Sequence, residues 1–228
     1  MKKQLMKSLA ISATLIAFVS CKDEKKNVVT PSEAKEVAQT TETSITYQIN
    51  TEESSIKWLG SKPTGEHYGT VNIQEGWISL QNGEIEGGEV SIDMNSITVL
   101  DEGMDEEYKK NLEDHLKGTV EGKETDFFNV NKYPTATFHI TGTSKEGDKT
   151  MLEGNLTMKD KSHNISFPVN ISESADQSQV RITSEPFTID RTHWGVNYGS
   201  KSIFDNLGDK FINDEMQLEI LVSAKQEN

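Results

Sequence analysis

The chain has 228 residues, of which 33% are hydrophobic and 7% aromatic. It carries 23 basic against 37 acidic residues, a net charge of −14, and a single cysteine. Such acidity repels nucleic-acid phosphates, the lone cysteine excludes internal disulfides and Cys-based zinc or iron–sulfur sites, and no apolar run reaches the roughly 20 residues of a spanning helix.

Residues 1–21 read MKKQLMKSLAISATLIAFVSC. Lys2, Lys3 and Lys7 form a positive start, and Ser8 to Val19 form an apolar stretch too short to cross a bilayer, the pattern of a secretory signal peptide over 1–20. Phe18-Val19-Ser20-Cys21 resembles a bacterial lipobox, with the small Ser20 before the scissile bond and Cys21 as the lipidated residue. Cys21 is needed there because the diacylglycerol is attached through sulfur. Palmitate-type acyl chains on one residue anchor stably, each buried methylene contributing about 0.8 kcal/mol. Cys21-Lys22-Asp23-Glu24 resembles the export signal of surface lipoproteins in the Bacteroidetes. The expected location is the outer membrane, with the domain facing either the surface or the periplasm.

Residues 22–43 are rich in Lys, Glu, Thr and Ser and lack hydrophobic periodicity. That composition predicts a flexible tether that buries little. From residue 44 to 228 the texture is period-two alternation, as in Ile56/Trp58, Val71/Ile73, Val90/Ile92/Met94, Ala136/Phe138/Ile140, Ile165/Phe167/Val169 and Leu218/Ile220/Val222. This predicts roughly eight antiparallel strands with one apolar face, in a single domain. Between Asp101 and Lys117 the pattern changes: Met104, Tyr108, Leu112 and Leu116 recur every four residues, the stripe of an amphipathic helix ending at Gly118. A helix inserted there suits a lid over a barrel mouth. Periodicity alone leaves a sandwich and a closed barrel both open.

Several segments in order resemble the YceI-like family of lipid- and polyisoprenoid-binding proteins. They include Ser55-Ile56-Lys57-Trp58-Leu59-Gly60, His67-Tyr68-Gly69, Val90 to Ile97, Asp126-Phe127-Phe128-Asn129-Val130, Tyr133 to Phe138, Gly154 to Lys159, Ile189-Asp190-Arg191-Thr192 and Phe204 to Lys210. The resemblance implies an all-β, lipocalin-like eight-stranded antiparallel barrel around an apolar tunnel, a polyisoprenoid-type lipid as ligand, and no catalytic residues or cofactor. Burying one five-carbon isoprene unit contributes about 3–4 kcal/mol before ordering costs.

Alternation nominates the tunnel wall: Ile56, Trp58, Val71, Ile73, Ile92, Met94, Phe138, Ile140, Leu156, Phe167, Ile189, Leu218 and Ile220. The same residues in a filled core would instead make a solid barrel, which fits a surface lipoprotein that binds glycan or protein. His67, in a Gly-flanked turn, and Arg191, whose fork suits oxyanions, are the head-group candidates. The five histidines, at 67, 115, 139, 163 and 193, lack the spacing of a zinc motif, so no metal is expected. No GxSxG or phosphate-binding glycine loop is present, which leaves a carboxylate-pair hydrolase as the remaining enzymatic reading.

Overall fold

The computed structural model describes residues 27–226. The signal segment, Cys21 and the first part of the expected tether lie outside the described residues. Among the described residues twelve strands are arranged as β1 (Asn27–Val28), β2 (Ser32–Glu33), β3 (Ile45–Ile49), β4 (Ser55–Lys62), β5 (Gly65–Gln81), β6 (Glu84–Val99), β7 (Thr135–Glu146), β8 (Lys149–Met158), β9 (Lys161–Glu173), β10 (Gln179–Ser184), β11 (Phe187–Asp190) and β12 (Glu215–Gln226). One helix, α1 (Glu106–Lys117), stands between β6 and β7.

The strands from β5 to β10 pair antiparallel with their neighbours in chain order. β12 closes the ring. On one side it pairs with β10 and β11, and on the other with β4 and β3. β3 and β4 act as one broken strand, interrupted by a short 3-10 turn that Asn50 caps. Likewise β10 and β11 are one strand broken at Glu185-Pro186, where proline has no N–H to donate. The result is a closed barrel of eight strands, not evenly round. The long β5 and β6 bend around it through bulges at Thr70/Asn72, Ile73/Glu75 and Ser79/Leu80.

The period-two reading is realised as predicted on these strands. Ile73, Ile92, Ile140, Phe167 and Val222 are among the buried residues on the inner face. The expected free tether is corrected by residues 27–43, which form a strap on the barrel's outer surface. After Pro186 the β11 strand leaves β9, and the strap fills the wedge. β1 pairs parallel with β11, and β2 pairs antiparallel with β9 at Asn164 and His163. Val29 enters the core at 6% exposure. Lys35 then exchanges two hydrogen bonds with the Asn155 side chain, and Ala38 donates its N–H to the Ile140 carbonyl. Composition missed this because the strap is held by backbone groups completing open strand edges, not by a hydrophobic pattern.

The helix is also shorter than the apolar stripe. Asp105 caps it by accepting from the Glu107 N–H, and Gly118, at φ 73°, ends it with its N–H returned to Asp114 and His115. Leu112 and Leu116 are half-buried, whereas Tyr108 is 70% exposed, so only the last two turns of the stripe face the barrel. Glu113 accepts the Val99 N–H and fixes α1 to the end of β6.

Candidate apolar pocket

The strand ends that carry α1 and the long 191–214 loop make one mouth of the barrel. A cavity of about 320 Å³ opens there. Its wall is almost entirely apolar: Trp58, Val71, Met94, Ile97, Ala136 and Met158 from the strands, Leu112 and Leu116 from α1, and Phe127, Phe128, Val196 and Ile212 from the loops. Deeper in the barrel lies a second cavity of about 80 Å³, lined by Ile73, Val90, Phe138, Ile140, Phe167, Ile220 and others. Ile56, Ile92, Leu156 and Leu218 line both.

Of the thirteen residues that alternation nominates, twelve line one cavity or both. The exception is Ile189, which is fully buried in the core cluster and lines neither. It sits on the four-residue β11, paired with Met216 of β12 and next to the turn into Arg191–Trp194, where its side chain is enclosed by the core.

Polar groups gather at the mouth. Lys62, His67, His115, Arg191, Asn213 and Glu215 line the outer part of the pocket. The two histidines are each held by a carboxylate. His67 Nδ1 lies 2.5 Å from Asp101 Oδ2, and the other Asp101 oxygen accepts the Tyr68 N–H. His115 Nε2 lies 2.7 Å from Asp126 Oδ2, and its ring makes edge contacts with Phe127 and Tyr198 at 5.1 and 5.0 Å between centroids. Lys159 reaches inward to donate to the Phe127 and Gly195 carbonyls, and burial lowers its pKa. The loops over the mouth are therefore pinned by hydrogen bonds.

Arg191 is a correction to the head-group reading. Its side chain is buried, and four of its five N–H groups donate to the carbonyls of Asn213, Val196, Tyr198 and Ile212. It is a clamp for the loop that frames the mouth. His67 does reach the pocket, but one ring nitrogen is committed to Asp101. The sequence reading missed Phe127, Phe128, Tyr198 and Ile212. The signal available was an aromatic pair, Phe127-Phe128, set in a stretch of turn residues where nothing but burial justifies it. Among the described residues no group of three or more His, Cys, Asp or Glu is placed to hold a metal ion.

A closed antiparallel barrel with a greasy pocket, capped by a helix and polar mainly at its lip, has the shape and chemistry to enclose an apolar small molecule. The YceI-like domain profile matches residues 47–224, and the chain belongs to that family. Among solved structures, Burkholderia cenocepacia BcnA matches with a TM-score of 0.57 at 20% identity, over 78% of this chain and 99% of that one. The polyisoprenoid binding domain from Saccharophagus degradans implicated in plant cell wall breakdown matches with a TM-score of 0.53 at 13% identity, over 80% and 99%. No curated protein matches the chain. At these identities the structural neighbours establish the shared fold.

Proposed function

We propose that the protein binds a polyisoprenoid-type lipid in the barrel interior, without catalysis, and that Cys21 anchors it to the outer membrane. The observation that carries the reading is the separation of surfaces in the pocket. Its depth is hydrocarbon apart from Ser184, whose hydroxyl oxygen accepts the Ile220 N–H, while Lys62, His67, His115 and Glu215 stand at the lip. A branched hydrocarbon tail matches the first, and a polar head group the second. Membership of a family with a polyisoprenoid-binding structural neighbour supports it. A solid core, as the surface-recognition alternative requires, is not what the barrel contains. The hydrolase alternative needs two carboxylates in the site, and among the described residues Glu215 is the only carboxylate in the lining.

Native mass spectrometry of the purified protein, followed by organic extraction, tests the binding. A discrete co-purified lipid, or uptake of added polyprenol, is expected. A clean ligand-free mass in every preparation with no uptake overturns it. For the anchor, Cys21→Ser is expected to abolish acyl labelling and move the protein to the soluble fraction. Retention of the variant in the membrane fraction defeats that part.

A further inference from the structure

The pocket is divided. Ile56, Ile92, Leu156 and Leu218, from β4, β6, β8 and β12, line both the mouth chamber and the inner chamber, so they form a collar spread around the ring. Behind the collar stands an aromatic stack. Phe138 tilts against Phe167 at 5.7 Å between centroids, and Phe167 lies flat on Phe187 at 4.3 Å and 7°. Gly154 seats the other side of Phe138: a Cβ on residue 154 would lie 2.2 Å from the Phe138 ring. A ring held by a stack on one side and by backbone on the other does not swing aside easily.

Volume then decides how much tail fits. A water-sized group takes about 30 Å³ in a liquid. On that scale the mouth chamber of about 320 Å³ holds about ten carbons, and the inner chamber of about 80 Å³ about three. An isoprene unit has five carbons, so the mouth chamber takes about two units and the inner chamber less than one.

We propose that the collar and the Phe138–Phe167–Phe187 stack measure the ligand's tail, admitting two to three isoprene units and leaving the remainder of a longer tail outside. This rests on the lipid-binding reading above and adds a length limit to it. Each unit that enters the pocket exchanges water for hydrocarbon contact, whereas a unit left outside contributes little.

The test is a titration of the purified protein with prenols of two, three, four and more units, namely geraniol, farnesol, geranylgeraniol and a long polyprenol. Binding is followed by native mass spectrometry and by tryptophan fluorescence, in which the change at Trp58 in the wall is read against the constant signal of Trp77 and Trp194. Affinity is expected to rise at least about tenfold from geraniol to farnesol and then to change less than about twofold with further length. Phe138→Ala opens the stack and moves the plateau at least one unit longer. Val90→Phe fills the inner chamber and moves it back to geraniol. Thermal melts of both ligand-free variants establish that they are folded, and the unmutated series reads the limit even without them. A steady tenfold gain per unit through the long polyprenol overturns the length limit while leaving lipid binding intact, as does a plateau that neither folded variant moves. Absence of binding at every length overturns the lipid reading and the limit together.

Discussion

Arg191 shows how a residue suited to a ligand is used by the fold instead. Burial lowers its pKa, and the nearby Asp214 and Asp190 act in the other direction. Its donors hold the carbonyls of residues 196, 198, 212 and 213, the two ends of the loop over the mouth. Arg191→Met leaves those buried acceptors without a donor, so a loss of about 3 kcal/mol or more is expected in urea denaturation. Arg191→Lys keeps the charge but not the planar fork, and should recover less than half of the loss. If Arg191→Met weakens prenol binding with no change in the denaturation midpoint, the head-group role returns. His67 differs because it faces the cavity, yet its Nδ1 is tied to a buried carboxylate. His67→Ala strips Asp101 of that partner, and the expected result is both a lower melting temperature and weaker binding. His67→Gln keeps a hydrogen-bonding side chain and should restore at least part of the melting temperature, checked by scanning calorimetry of the two variants.

Elements differ in how legible they were, and the reason lies in what holds each one. The strands were readable because a barrel wall has one wet and one dry face, which writes itself into the sequence as alternation. Twelve of the thirteen nominated wall residues reach the cavities for that reason. The helix was readable only in its last two turns, since Tyr108 has no wall to cover. The mouth loops were not readable, because their burial depends on partners distant in the chain, such as Phe127 with Tyr198 at 5.2 Å. The strap was invisible for a third reason. Its fasteners are backbone pairings and three carboxylates on the barrel: Glu86 accepts from Ser44 and Thr41, Glu153 from Lys35 and Ser144, and Glu185 from Lys149 and Asn27. Each of these carboxylates is held below its ordinary value of 4.5 by those hydrogen bonds, those from Ser44, Lys35 and Lys149 contributing most. A carboxylate whose pKa is depressed in the folded state stabilises it above the unfolded value, and that contribution disappears as pH falls through the folded value. The strap is therefore expected to loosen on acidification from about pH 5 downward. Hydrogen exchange at the Val29, Lys35 and Ala38 amides, corrected for intrinsic rates, should accelerate there more than exchange at the Ile140 or Phe167 amides. Equal acceleration at both sets shows global unfolding instead. Val29→Asp places a charge in the core and is expected to cost about 2–3 kcal/mol, read as a lower denaturation midpoint.

At the scale of the whole molecule, the barrel trades stability for capacity. The ring closed by β12 leaves only the edges of β9 and β11 for the strap to cover, yet its centre holds a cavity of about 320 Å³ that its own side chains leave unfilled. The unfilled space costs dispersion contacts along the whole wall. A bound tail restores them, and ligand that binds only the folded state raises stability by about 2.7 kcal/mol at a hundredfold excess over Kd. For a domain of this length, each kcal/mol corresponds to about 2–4 °C in Tm. Ala136 offers a way to separate the two effects. It is 2% exposed, lines the mouth chamber, and pairs across strands with the collar residue Ile92. Ala136→Leu puts three more carbons where the tail would lie. The ligand-free variant is expected to gain about 1 kcal/mol, as cavity-filling changes do, and to melt higher than the parent. Saturating farnesol should then raise the Tm of the parent by several degrees and that of Ala136→Leu by much less, because the variant's own side chain occupies the space. A variant that starts higher and still shows the full ligand shift places the bound lipid outside this chamber.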